Sequence, residues 1–186
     1  VVILLNFSAK NPPHRQAEKR YRKSSLKMFG LFKKKATLAD FEQAKKDGTV
    51  YPGESIAILQ IRTETGQFGT AWVNRAYKDY AYKAFCPYLI IMKVDLTTLD
   101  EHQREQLDMS TVEDYFYPEL KSIGICHFIA RFVTDKGMDM IFYAESNPNF
   151  EEAINELMKE NDLNLEFEAD INENDPTWGS MKMVLR

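Results

Sequence analysis

From residue 37 onward the chain switches between two hydrophobic periods, one near 3.6 residues and one of 2, and the switches mark out its elements. Thr37 followed by Asp40 has the form of a capping box. Leu38, Phe41 and Ala44 share one helical face and Gly48 ends the pattern, so a short helix is expected there. Tyr51-Pro52-Gly53 then turns the chain into an apolar run, Ile56 to Arg62. Thr65-Gly66 separates that run from a second strand, Gly69 to Tyr77, which together predict a hairpin. Tyr88 to Leu96, bounded by Pro87 and Thr97-Thr98, predicts a third strand.

Further on, Ser110 to Glu113 reads as a capping box opening a helix that carries Val112, Tyr115, Phe116 and Leu120, with Pro118 expected to remove one backbone bond and kink it. Ile123 to Val133 and Met138 to Ala144 predict two strands joined through Thr134-Asp135-Lys136-Gly137. Asn147-Pro148 then opens the most regular helix, whose apolar stripe is Phe150, Ala153, Ile154, Leu157 and Met158. Leu163 to Ala169 alternates strictly and Met181 to Leu185 is apolar, which predicts two last strands. The order from residue 88 is β, α, β, β, α, β. We therefore expect an α+β fold with a ferredoxin-like split βαβ core, preceded by a helix and β-hairpin and followed by an extra strand. In such a sheet both helices cover one face and leave the other for water, the hairpin or a partner.

Composition changes this picture mainly at the start of the chain. Residues 1–35 hold ten Lys or Arg against one acidic residue, Glu18, whereas 36–186 hold fourteen basic and twenty-seven acidic residues, a net −13. The first stretch is read as a basic leader, disordered or mis-assigned, with Met28 in LKMFGLFKKK as the expected true start; residues 36–186 are read as one domain. The acidity of that domain argues against nucleic acid and anionic lipid as its partners. The longest apolar run near the start, Val1 to Leu5, falls far short of the roughly 20 residues that a membrane span needs. Cys86 and Cys126 are the only cysteines, without a CxxC, so reduced thiols and a cytoplasmic location are expected.

The segments GTAWVNRAY (69–77), LDMSTVEDYFYPEL (107–120) with its Glu113-Asp114 pair, ARFVTDKG followed by MDMIFYAES (130–146), and DPTWG (175–179) together resemble the domain-of-unknown-function family numbered 695. The resemblance covers about Gly69 to Leu185. It implies a small bacterial α+β domain, sometimes joined to a module like the ribonuclease E inhibitor regulators, and no catalytic residues. Met138 and Asp139 stand where a basic residue would be expected after the hairpin glycine, which weakens any anion site there.

No GxGxxG, Walker loop, GxSxG or HExxH occurs, and neither a cofactor nor a metal is expected. The acidic run Glu166, Glu168, Asp170, Glu173, Asp175 lacks the glycine-centred spacing of a calcium loop and fits an exposed edge strand. His14 falls in the leader and His102 in a charged loop, leaving His127 as the histidine of interest. Strict alternation along 123–133 puts Cys126, Phe128, Ala130 and Phe132 toward the helices, and His127 and Arg131 on the other face beside Tyr143 and Lys93. Trp72, Asn74 and Arg75 would extend that cluster if the hairpin joins it. Two readings stay open: ordinary surface side chains satisfied by carboxylates, or a binding face in which Arg131 grips an anion. Trp178 is expected to anchor the last strand to the core, with an interface role as the alternative. The expectation for function is a non-enzymatic protein-binding or regulatory domain acting through an acidic surface or open sheet face. The alternative is a small ligand-binding protein or enzyme with a pocket around Arg131, His127 and Tyr143.

Overall fold

The computed structural model describes residues 3–5 and 35–186, apart from 64, 162 and 164. The basic leader otherwise lies outside the described residues, as does the expected start at Met28. Strand β1 (Ile3–Leu5) is followed by helix α1 (Leu38–Lys46), strands β2 (Ile56–Thr63), β3 (Phe68–Asn74) and β4 (Tyr88–Asp95), and helices α2 (Glu101–Gln106) and α3 (Met109–Ile123). The chain continues through β5 (Cys126–Thr134), β6 (Gly137–Ala144), α4 (Asn149–Lys159) and β7 (Glu166–Asn172). The fold is mixed α+β. The strands form one sheet in the order β1-β2-β3-β5-β6-β4-β7, antiparallel throughout except for the short β1, which runs parallel to β2.

Local chemistry explains most boundaries. Thr37 and Asp40 form the expected capping box on α1, and Gly48 takes a left-handed φ of 68° just past its end. Gly66 does the same in the β2–β3 turn, at φ 87°. Helix α3 begins earlier than predicted because Asp108 is its cap, accepting from the Ser110 amide, and the helix runs on through Pro118. Glu113 is thereby released from the predicted capping role. At α4 the N-cap falls on Pro148, one residue later than predicted, and Asn147 precedes it, accepting from the Asn149 amide at 3.0 Å. The short helix α2, capped by Asp100 and Gln103, was not predicted, and His102 lies within it.

Two strand predictions are corrected. The penultimate strand falls at Glu166–Asn172, three residues later than Leu163–Ala169, because Leu163 and Leu165 pack into the helix side of the core before the sheet begins. Met181 to Leu185 is not a strand. Trp178 takes a left-handed φ of 54°, a 3₁₀ turn covers Gly179–Met181, and Met181, Val184 and Leu185 are buried as a non-strand cover.

The sheet has two apolar sides. Toward α3 and α4, Ile90, Met92, Val94, Met140 and Phe142 meet Val112, Phe116, Leu120, Phe150 and Ile154. On the other side, Leu89, Ile91, Ile141 and Tyr143 meet Phe41 and Ala44 of α1, the Tyr77–Cys86 segment, and Trp178 to Leu185. This second layer corrects the expectation of a face left free, because burying these large side chains outweighs leaving them to water. The hairpin does not fold over the sheet either; it continues the sheet in plane, with β3 beside β5. Gly69 permits that pairing, since a Cβ there would sit 2.3 Å from the Val133 carbonyl oxygen. Among the described residues no helix is long and apolar enough to cross a membrane.

Candidate functional site

One irregularity in β5 decides how the predicted site residues are placed. The pairing of β5 with β6 shifts between Phe128 and Ala130, so the alternation of side chains inverts there. His127 lies on the side covered by α1 and the C-terminal segment, while Arg131 lies on the α3 side and pairs with Glu113. The predicted His127–Arg131 cluster is therefore split across the thickness of the sheet. A single inserted residue reverses every later side chain, and nothing in a run of apolar residues announces it.

His127 is fully buried. The Tyr77 hydroxyl lies 3.3 Å from its Nδ1 and the Tyr80 hydroxyl 2.9 Å from its Nε2. Tyr51 meets the ring edge-on at 5.1 Å, and Trp178 lies 5.9 Å away. Burial, helped by the nearby Lys121 ammonium, pushes the imidazole down to about 3, so it is neutral; one tyrosine donates to it and the other accepts. Burial also raises both tyrosine hydroxyls well above their ordinary value. This is a closed polar network inside an aromatic box.

Trp178 closes that box. Its ring stacks on Tyr143 at 4.3 Å and 12°, and its Nε1 donates to the Cys86 carbonyl at 2.8 Å. The Tyr143 hydroxyl donates to Asp175, which also accepts from the Gly179 and Ser180 amides. Burial alone would raise the Asp175 carboxyl, but these three donors hold it below the usual range. The DPTWG segment is thus a lock: Asp175 gathers the turn, and the turn delivers Trp178.

The other predicted residues serve local structure. Trp72 stacks on Phe128 on the α3 side, and Asn74 accepts from the Ser55 and Ala76 amides, fastening the end of β3. Arg75 is exposed. Arg131 and Glu113 form a half-buried ion pair; burial raises the Glu113 carboxyl and the arginine partly offsets it.

The other end of the His127 side of the sheet is different. Lys93 lies on that side, as predicted, but four residues along β4 from Leu89, whose neighbour Tyr143 pairs with His127. Around Lys93 the cross-strand neighbours are Asp139 and Glu168, with Asp95, Glu166 and Asp170 beside them on the same side. Lys93 sits among these five carboxylates and is engaged by Asp170. Burial raises the Asp139 carboxyl, with Lys93 opposing. Glu166, Glu168 and Asp170 are exposed. Sequence inspection saw the acidic alternation on β7 but not its union with Asp95 and Asp139, which depends on the register of β4 between β6 and β7. Among the described residues no cluster suited to a metal ion occurs.

No protein-family model matches the chain, and no curated protein or solved structure matches it.

Proposed function

We propose that the protein is a non-enzymatic binding or regulatory domain that recognises a basic protein partner through the uncovered acidic end of its sheet. The observation that carries this reading is the contrast on one sheet face: the His127 end is sealed by Tyr80 and Trp178, while at the other end Glu166, Glu168 and Asp170 are exposed and no described helix or segment packs over them. A net −13 over residues 36–186 supports it, because a field of one sign steers oppositely charged partners. The alternative, a ligand pocket joining Arg131, His127 and Tyr143, is disfavoured by the bulge that parts Arg131 from the other two.

Two finer readings belong to the same proposal. The β4–β7 half is taken as a ferredoxin-like split βαβ unit; in support, β6 lies between β4 and β5, and β4 between β6 and β7, with α3 and α4 on one side. The likeness to family 695 is kept as a proposal resting on the motifs quoted above. A cytoplasmic setting is supported by Cys86 and Cys126, both buried and unpaired.

Affinity purification of the full tagged chain tests the reading with two variants alongside. A stoichiometric basic partner should be lost with Asp139→Asn/Glu168→Lys and kept with Arg131→Ala, whose site lies on the opposite side of the sheet. A partner indifferent to the acidic substitutions overturns the reading.

A further inference from the structure

Strand β7 closes one side of the sheet and, among the described residues, pairs only with β4. Among the described residues, its outward N–H and C=O groups along Glu166–Asn172 have no strand partner and offer a template for one more strand. The strand at the opposite side, β2, is already partly taken by β1, which pairs with Ile61 to Thr63. Resting on the reading above, we propose that β7 accepts an extended segment of the partner as an added strand, and that this segment carries Lys or Arg at every second position with apolar residues between.

The alternation of β7 dictates that pattern. Glu166, Glu168 and Asp170 point to the acidic side, whereas Phe167, Ala169 and Ile171 are half-buried on the helix side, where Phe167 meets Phe116 edge-on at 4.8 Å. Side chains of an added strand stand about 4.5–5.5 Å from those they face, so its alternate residues meet carboxylates on one side and apolar groups on the other. Among the described residues neither Glu166 nor Glu168 has an ion-pair partner, Lys93 being held by Asp170, so a basic residue opposite either of them meets an open carboxylate. The same charges disfavour the simplest competitor, a second copy of β7, because full antiparallel self-pairing would set Glu168 opposite Asp170 on both sides of the centre. The chemistry thus selects a basic, alternating segment over self-association. This is strand addition, in which main-chain bonds supply affinity and side chains supply specificity.

Three blocked seven-residue peptides test the proposal on the full chain: alternating lysine and valine, alternating glutamate and valine, and a block sequence of lysines followed by valines. Binding is followed by calorimetry and by hydrogen exchange of β7 amides. The alternating lysine peptide should bind best and slow exchange at the outward amides of Glu166–Asn172. Glu166→Lys/Glu168→Lys should weaken it at least about tenfold and give measurable affinity for the glutamate peptide instead, with thermal unfolding confirming that the variant stays folded. Equal binding of the block peptide without new β7 protection overturns strand addition while leaving the acidic-surface reading standing. Failure of both lysine peptides to bind overturns both.

Discussion

The two ends of one sheet face are built from the same strands and do opposite things with polar groups. At the His127 end every polar atom is paired inside the fold: imidazole with two tyrosines, Asp175 with Tyr143 and two amides, and the indole with Cys86. At the Lys93 end five carboxylates gather around Lys93, and Glu166, Glu168 and Asp170 are exposed. Buried polar groups are costly unless satisfied, so the first end has the chemistry of a structural core. Clustered like charges destabilise a fold slightly while attracting an opposite field, which is why the second end is the one proposed above to meet a partner. A histidine surrounded by tyrosines looks like a catalytic centre when read from residue types alone. Its geometry shows it closed.

The largest effect is expected at Trp178. Trp178→Ala empties the lid of the aromatic box and removes the bond to Cys86, and should cost about 3–5 kcal/mol in denaturant unfolding; a cost below about 1 kcal/mol would mean the box is not a core. Acid is the next lever. The folded chain keeps His127 neutral down to about pH 3, whereas the unfolded chain takes up a proton below about 6.5, so stability is lost as pH falls through that range. The slope from this group should approach about 1.4 kcal/mol per pH unit near the middle of that window. Protonation of Glu113 and Asp139, whose carboxyls are raised, acts in the opposite sense, so the comparison is with His127→Gln, which should lack the histidine's contribution. Equal slopes in both proteins would show that His127 is accessible to protons in the fold.

A smaller loss is expected from Tyr143→Phe, about 1–3 kcal/mol, because Asp175 loses a donor while still held by two amides. Urea midpoints measured beside Trp178→Phe would separate the hydroxyl from the stacking. The smallest effect belongs to the open end. Asp139→Asn should change stability by less than about 0.5 kcal/mol or raise it slightly, since it removes a half-buried charge among like charges. A loss above about 2 kcal/mol there would make the acidic end part of the core and remove its availability to a partner.

How far these features could be read from sequence follows from the range of the interactions involved. Helix α1, the β2–β3 hairpin and α4 rest on caps, glycines and periodicity within a few residues, and those signals were legible. The segment after Asp175 misled because Met181, Val184 and Leu185 look like a strand but are spaced to bury against a sheet already formed. The bulge in β5 left no trace, since Phe128, Ile129 and Ala130 are all apolar and all buried. Trp178 was recognisable as an anchor because a lone tryptophan beside a turn has few other uses. The acidic surface was half legible: the alternation on β7 is local, but Asp95 and Asp139 join it through pairings more than 40 residues apart in the chain.

On the proposal above, the sealed end stabilises the fold and the open end binds. Amide NMR of the full chain, titrated with the alternating lysine and valine peptide, tests it most directly. Shifts are expected to concentrate at Lys93–Asp95, Gly137–Asp139 and Glu166–Asn172, with Tyr77–Cys86 and Trp178 unchanged. Shifts centred on His127, Tyr80 and Trp178, with β7 silent, would contradict it and make the aromatic box the binding site.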